Sequence, residues 1–342
     1  MFKKYPALQA SYDAQEQLAK DNQAEAEKLV AEYQRQLEED YDYPIRDERL
    51  HANAGAPGAV RSVWSQAKAC QHHSIDLEPR EAWLMPAMRA HELRHIELEC
   101  EAAKHGVRKT DAALIYPSDL RQLGLSREEF EKLFSYSMNV PLDLLVDAWL
   151  FQRFPRLRPA MFVNACRFQK RNCSYELPAA GCSAGNRTAL NALRAASALF
   201  TDETYGRVTG FFAPFRGTPD GDLAEKLYAA FQQSFPLSKP DGHYELVNRF
   251  GEIIGFPNLH AWDSRPRWEL VAAAARLAAV LGQERERPDF RVVPATTLSG
   301  RGYAAIIKQV IQEKYPRTGG AGSGLQFEDD YSITAKIPLA AS

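Results

Sequence analysis

The chain has 342 residues and a formal charge of -2 at pH 7, from 42 lysines and arginines against 44 acidic residues. Hydrophobic residues make up 45% of it, enough to fill a sizeable core, which excludes a wholly disordered chain. The balanced charge argues against nucleic acid or an anionic membrane surface as the main partner. The length suits one large domain or two ordinary ones.

No segment of the sequence predicts export or membrane insertion. Lys3 and Lys4 are not followed by an apolar run, so no signal peptide is expected. The most apolar segment, Leu270–Gly282, is interrupted by Arg276 and is shorter than the ~20 residues that span a bilayer. Five cysteines without a C-x-x-C pair fit reduced thiols better than a disulfide framework. We therefore expect a cytoplasmic protein with no membrane partner.

Helical patterns dominate the first part of the chain. Ser11–Asp40 lacks glycine and proline and is rich in good helix formers, so it predicts one long, largely exposed helix. Tyr41–Pro57 collects Asp, Pro, Gly and Asn and is typical of a loop. Helical periodicity returns over Glu81–Lys104, with Pro86 either in its first turn or at a kink.

Two further helices follow in the prediction. Ser126 and Glu129 form a capping box, which begins a short helix. Asn139 is a good N-cap residue, and it begins another helix that runs to about Phe154. Pro141 would then lie in the first turn of this second helix, where its missing N–H group costs least.

Helices and a few strands are predicted in the rest of the chain. Helical patterns cover Thr188–Phe200, Leu223–Phe235, Glu245–Ile254, Arg267–Gly282 and Tyr303–Lys314. The best strand signals are Val60–Trp64, Ala113–Tyr116, Arg291–Val293 and Ile333–Ile337. The predicted fold class is mainly α with a small β-sheet (α+β), and there is no internal repeat.

The feature that indicates chemistry is an H-E-x-x-H sequence at residues 91–95, inside the predicted Glu81–Lys104 helix. Four residues make just over one turn, so the imidazoles of His91 and His95 project from one face and can bind one Zn²⁺. Glu92 points in a neighbouring direction, from which its carboxylate can act as general base on a zinc-activated water. Both histidines lie on a stripe that is otherwise apolar, formed by Leu84, Met88, Leu98 and Ala102.

A tetrahedral catalytic zinc site needs a third protein ligand. Asp143 and Asp147 lie one turn apart on a nearly apolar helix, where two uncompensated carboxylates would be costly to bury. A cation removes that cost if Asp143 is the third ligand and Asp147 orients a ligand histidine. The sequence leaves open which aspartate would bind the metal. It also leaves open that neither does, and that Asp143 is exposed near a helix N-terminus, where its charge favours the positive end of the helix dipole. Other candidate ligands rank lower because they lie on or just beyond the histidine helix: Glu99, Glu101 and His105.

This combination resembles the zincin-type metallopeptidases, in which an H-E-x-x-H helix is followed by a helix with an acidic third ligand. Asp143 and Asp147 have the spacing of the gluzincin E-x-x-x-D motif, with Asp in place of Glu as in aspzincin-like sites. Residues 139–143 are also similar to the N-I-A-x-D stretch of bacterial proteins assigned as metallopeptidases and found beside von Willebrand A domains. The resemblance covers Glu81–Phe154. It implies a zincin-like core, bound zinc, and hydrolysis of a peptide or protein substrate.

The expected organisation has three parts: a charged N-terminal helix (1–44), a zincin-like metal-binding core (45–175) and a mainly helical C-terminal region (176–342). Two alternatives to a peptidase stay open. In one, the zinc site is structural or regulatory in a non-catalytic sensor or interaction protein. In the other, there is no metal, and the basic Arg153–Arg171 stretch, which lies in an interval without acidic residues between Asp147 and Glu176, marks a nucleic-acid adaptor. That stretch could also hold a terminal carboxylate or an acidic peptide, or simply pack with its basic heads in solvent.

Overall fold

A computed structural model of the protein describes residues 2, 5–41, 44–47, 58–63, 72–78, 80–104, 110–112, 126–174, 184–206, 208–257, 259–263, 289–292, 325–327 and 333–336. Internal contacts divide the chain into two compact units. The first comprises the described parts of Met1–Val63, Cys70–Val107 and Pro117–Pro257. The second comprises those of Trp64–Ala69, Arg108–Tyr116 and Asn258–Ser342.

The first unit is mainly helical. Its helices are α1 (Pro6–Asp21), α2 (Gln23–Tyr41), α3 (Met85–Lys104), α4 (Arg127–Arg153), α5 (Arg158–Ser174), α6 (Ala184–Thr204), α7 (Pro219–Ser234) and α8 (Gly242–Ile253). Its strands are β1 (Ile45–Asp47), β2 (Gly58–Val63) and β3 (His72–Leu77). They form one sheet in the order β1-β3-β2, with β3 parallel to β1 and antiparallel to β2. The prediction of a mainly helical protein with a small sheet is confirmed.

The described part of the second unit consists of short strands. β4 (Thr110–Ala112) pairs antiparallel with β5 (Ala261–Asp263). Three more strands form an antiparallel sheet in the order β6-β8-β7, namely β6 (Asp289–Val292), β7 (Leu325–Phe327) and β8 (Ile333–Lys336). β6 and β8 coincide with two predicted strands. Three other predicted elements lie outside the described residues: Ala113–Tyr116, Arg267–Gly282 and Tyr303–Lys314.

The N-terminal helix differs from its prediction. Two helices, α1 and α2, replace the single helix expected over Ser11–Asp40, and they meet at Asn22. Asp21 and Asn22 are poor helix formers, because their side chains compete for backbone hydrogen bonds. Leu18 on α1 is exposed, in line with the expectation of a largely exposed N-terminal segment. The buried residues are Leu8, Tyr12 and Ala19 on α1, and Ala26, Val30, Tyr33 and Leu37 on α2.

α4 is one continuous helix where two were predicted. The capping box between Ser126 and Glu129 is present and begins the helix as expected. The predicted start of a second helix at Asn139 is wrong, because the helix continues through Asn139 and Pro141. Packing on both sides of the proline outweighs its one lost hydrogen bond, since the helix is held by buried side chains along its length. These include Leu133, Val140, Leu144, Leu145 and Leu150.

The later helices follow their predictions more closely. α6, α7 and α8 overlap the helices expected over Thr188–Phe200, Leu223–Phe235 and Glu245–Ile254. α5 was not predicted, because its basic residues obscured an apolar stripe that includes Phe162, Val163 and Cys166. Within the described ranges, no helix has both the length and the apolar composition needed to cross a bilayer.

Asp202, near the end of α6, holds the loop that follows this helix. Its buried carboxylate accepts hydrogen bonds from Thr209 Oγ1 and from the backbone N–H groups of Phe211 and Phe212, the latter two at 2.9 Å. Asp202→Ala leaves these buried donors unsatisfied, so we expect the free energy of unfolding in urea to fall by about 2–4 kcal/mol. Glu225→Ala, at an exposed position of α7, is the control and should change it by less than ~0.5 kcal/mol. Equal stability of both variants would show that the loop does not depend on this carboxylate.

Candidate metal centre

α3 carries the H-E-x-x-H sequence through the first unit, in contact with α2, α4 and the strands β2 and β3. It begins at Met85, so Pro86 lies in its first turn and does not kink it. The apolar residues of the stripe predicted to flank the histidines are buried. Ala90, Leu93 and Ile96 on other faces of α3 are buried as well, so the helix is covered on more than one side. The two histidines are more exposed to solvent than these core residues. The side chain of His91 is 24% exposed and that of His95 is 16% exposed.

Asp143 and Asp147 lie well inside α4 rather than near its N-terminus. This position excludes the alternative in which Asp143 serves only to favour the positive end of a helix dipole. Their side chains are 43% and 39% exposed, so each is only partly open to solvent. The residues between them, Leu144, Leu145 and Val146, are buried and anchor the helix.

A buried arginine holds α3 against α4. The Arg94 guanidinium lies 4.4 Å from the ring centroid of Trp149 on α4, and its side chain is only 8% exposed. Its Nη1 donates to Glu97 at 2.6 Å, and Glu97 also accepts a hydrogen bond from the Tyr33 hydroxyl of α2. These contacts therefore fix the two helices that carry the histidines and the aspartates.

His91, His95 and Asp143 bring three metal-binding atoms together. His91 Nε2 lies 3.0 Å from His95 Nε2 and 3.4 Å from Asp143 Oδ1, and His95 Nε2 lies 3.3 Å from Asp143 Oδ1. In a tetrahedral zinc site with bonds of about 2.0–2.1 Å, neighbouring ligand atoms are about 3.3 Å apart. The three atoms therefore have the spacing of one face of a zinc tetrahedron, which leaves a fourth position for water or substrate.

Asp147 lies behind His91 rather than in this group of donor atoms. Its Oδ1 is 2.9 Å from Nδ1 of His91. Because Nε2 of His91 faces the other donors, Nδ1–H is the group that donates to Asp147. A carboxylate in this position fixes the tautomer and the orientation of a ligand histidine. The sequence alone left open which aspartate would touch a metal, and the distances favour Asp143.

The charges around the three donor atoms favour a cation. Burial disfavours the charged form of His91, but the negative charges of Asp147 and Asp143 raise its pKa well above the ordinary value. Burial would raise the pKa of Asp143, yet hydrogen bonds from His91 and His95 lower it to about 2. The two carboxylates therefore favour the protonated form of His91, and a bound metal ion would take the place of that proton.

Glu92 is the candidate base beside this group. It is 8% exposed, and burial raises its pKa, although the neighbouring His91 and His95 lower it. Its carboxylate has no hydrogen bond or ion pair with another residue in the part of the chain that the structure describes. A carboxylate with a raised pKa suits both proton uptake and proton donation near neutral pH.

The lower-ranked ligands do not join the three donor atoms. Glu99 and Glu101 lie on α3 outside the group, and Glu101 is 3.4 Å from Arg94. His105 lies outside the described residues. One tyrosine that the sequence does not single out packs against α4. Tyr205, just after α6, has its ring centroid 5.5 Å from that of Phe151, one turn beyond Asp147 on α4.

Asp147→Asn should weaken zinc binding without abolishing it. The amide cannot stabilise the His91 Nδ1–H group as a carboxylate does, so we expect the affinity for zinc to fall by about 10–100-fold. Competition with a chromophoric chelator at neutral pH measures this change. Gln152→Ala, an exposed position of the same helix, is the control and should leave the affinity unchanged. If Asp147→Asn also leaves it unchanged, Asp147 does not orient a ligand.

Comparison of the chain with protein-family models, with curated proteins and with solved structures finds no match.

Proposed function

We propose that the protein is a zinc-dependent hydrolase of the metallopeptidase type. The observation that carries this proposal is the convergence of His91, His95 and Asp143 at the ligand spacing of tetrahedral zinc. Two imidazole nitrogens, one carboxylate oxygen and a fourth open position form the kind of ligand set that catalytic zinc sites use. Glu92 adds a base next to this set. The resemblance of the H-E-x-x-H and acidic helices to zincins favours the peptide bond as the bond hydrolysed.

His91, His95 and Asp143 would hold the ion. When bound, it would lower the pKa of a water molecule toward ~7 and polarise the scissile carbonyl. Glu92 accepts a proton from the attacking water and later donates it to the amine nitrogen as the C–N bond breaks. Asp147 keeps Nε2 of His91 directed at the ligand position throughout.

Removal and return of the metal tests this function. Protein treated with a chelator is expected to lose hydrolysis of a broad peptide library to the background level, and one equivalent of Zn²⁺ should restore it. Mass spectrometry of the library measures cleavage, and Mg²⁺ in place of Zn²⁺ is the control. Bound zinc without cleavage of any peptide would point to a structural or regulatory site and would contradict the proposed activity.

A further inference from the structure

One face of α4 continues from the candidate metal centre to a second group of side chains. Asp143, Asp147 and Phe151 follow one another at intervals of four residues, so they lie in a row along the helix. α4 rises about 12 Å from Asp143 to Phe151. Side chains that contact Phe151 are therefore too far away to bind the metal, but within reach of the same short peptide.

Arg158 is fixed against Phe151. Its Nε donates a 2.6 Å hydrogen bond to the backbone carbonyl of Phe151, and its guanidinium carbon lies 4.5 Å from the ring centroid. The side chain is half-buried, and within the described ranges it has no acidic partner. Two other arginines of the same basic stretch do have one, since Arg156 pairs with Glu25 at 3.1 Å and Arg167 with Glu81 at 2.9 Å.

Tyr205 lies on the same part of α4. Its ring packs edge-on against Phe151 and Phe162, with centroids 5.5 Å and 5.0 Å apart. Its hydroxyl has no hydrogen-bond partner among the residues that the structure describes. Burial raises the pKa of Tyr205 well above its ordinary value, Asp147 raises it further, and Arg158 lowers it. The hydroxyl therefore lies within electrostatic reach of both charges.

We propose that Arg158 and Tyr205 form a subsite for a carboxylate of the peptide substrate. This inference rests on the proposed peptidase function and names the substrate class, namely peptides with a terminal or side-chain carboxylate near the scissile bond. A guanidinium and a hydroxyl are strong donors to a carboxylate, and both are held in place by ring contacts before substrate arrives. Asp147, the acid near this pair, already accepts a hydrogen bond from His91.

Binding of matched peptides to zinc-loaded Glu92→Gln protein tests the subsite without turnover. The probes are N-acetyl-tetraalanine with a free carboxylate, the same peptide as its amide, and an amide peptide in which glutamate is the last residue. Calorimetric titration should show the free acid binding at least about tenfold more tightly than the alanine amide. The measured quantity is the affinity ratio, that is, the affinity for the free acid divided by the affinity for the alanine amide. Added to Glu92→Gln, Arg158→Met should bring this affinity ratio close to one, and Arg158→Lys should restore part of it. Arg153→Met, at an exposed basic position of α4, is the control and should keep the full ratio.

Tyr205→Phe is the second variant, because it keeps the ring contacts and removes only the hydroxyl. It should reduce the ratio even if Arg158→Met unfolds the protein. A glutamate amide that binds as tightly as the free acid would assign the subsite to side-chain carboxylates as well as termini. A ratio near one in the parent protein, or a full ratio in both Arg158→Met and Tyr205→Phe, would overturn the proposal.

Zinc content and hydrolysis, measured on protein with Glu92 intact, separate this inference from the proposed function. If the protein contains zinc and cleaves the free acids and the amides of a library equally well, the proposed function stands and the proposed subsite is contradicted. If it has neither zinc nor cleavage, the proposed function itself is contradicted.

Discussion

Replacement of Glu92 by glutamine is expected to lower kcat/KM for peptide hydrolysis by about 10²–10⁴-fold and to leave the zinc content unchanged. The amide cannot accept a proton from the attacking water, so the loss falls on the chemical step. Glutamine has nearly the same volume as glutamate, and Glu92 lies outside the three donor atoms. The buried position should therefore tolerate the change without loss of the metal.

Glu99→Gln is the matched control for this variant. Glu99 lies on α3 two turns after Glu92, on the same side of the helix and outside the three donor atoms. It should keep both zinc and activity. If Glu92→Gln loses zinc together with activity, Glu92 supports the metal site and is not the base. If Glu92→Gln keeps full activity, the base must be sought elsewhere.

Asp143→Ala is expected to lower the affinity for zinc by more than about 100-fold. The substitution removes one of the three proposed protein ligands, so the effect should exceed that of losing a carboxylate that only orients a ligand. The two imidazoles that remain cannot complete a tetrahedral site without an additional donor. Competition titration with a chromophoric chelator measures the affinity, as for Asp147→Asn.

Asn139→Ala controls for changes in α4 itself. Asn139 is exposed one turn before Asp143, and its side chain donates to Ser135 on the same helix. Its removal should leave zinc binding intact. If instead Asp143→Ala keeps zinc and Asp147→Ala loses it, Asp147 is the third ligand and the assignment of Asp143 to that role is wrong.

Features that lie within one helix could be predicted from the sequence. The spacing of His91 and His95 fixes their common face because a helix turns every 3.6 residues. The capping box at Ser126 depends only on residues three positions apart, and it forms as expected. The mixture of helices and short strands likewise followed from local periodicity.

Features that depend on contacts between elements could not be predicted. The continuity of α4 through Pro141 depends on how well the helix packs, which no local pattern reports. The assignment of Asp143 to the donor atoms and Asp147 to His91 depends on the placement of α3 against α4. Arg158 and Tyr205 meet at Phe151 from two other parts of the chain, so no spacing in the sequence connects them.

Elemental analysis of the purified protein tests the presence of a zinc site most directly. We expect about one zinc per chain in the wild type and almost none in His91→Ala prepared in the same way. A wild-type protein without zinc, or a His91→Ala protein with a full equivalent, would contradict the assignment of this centre.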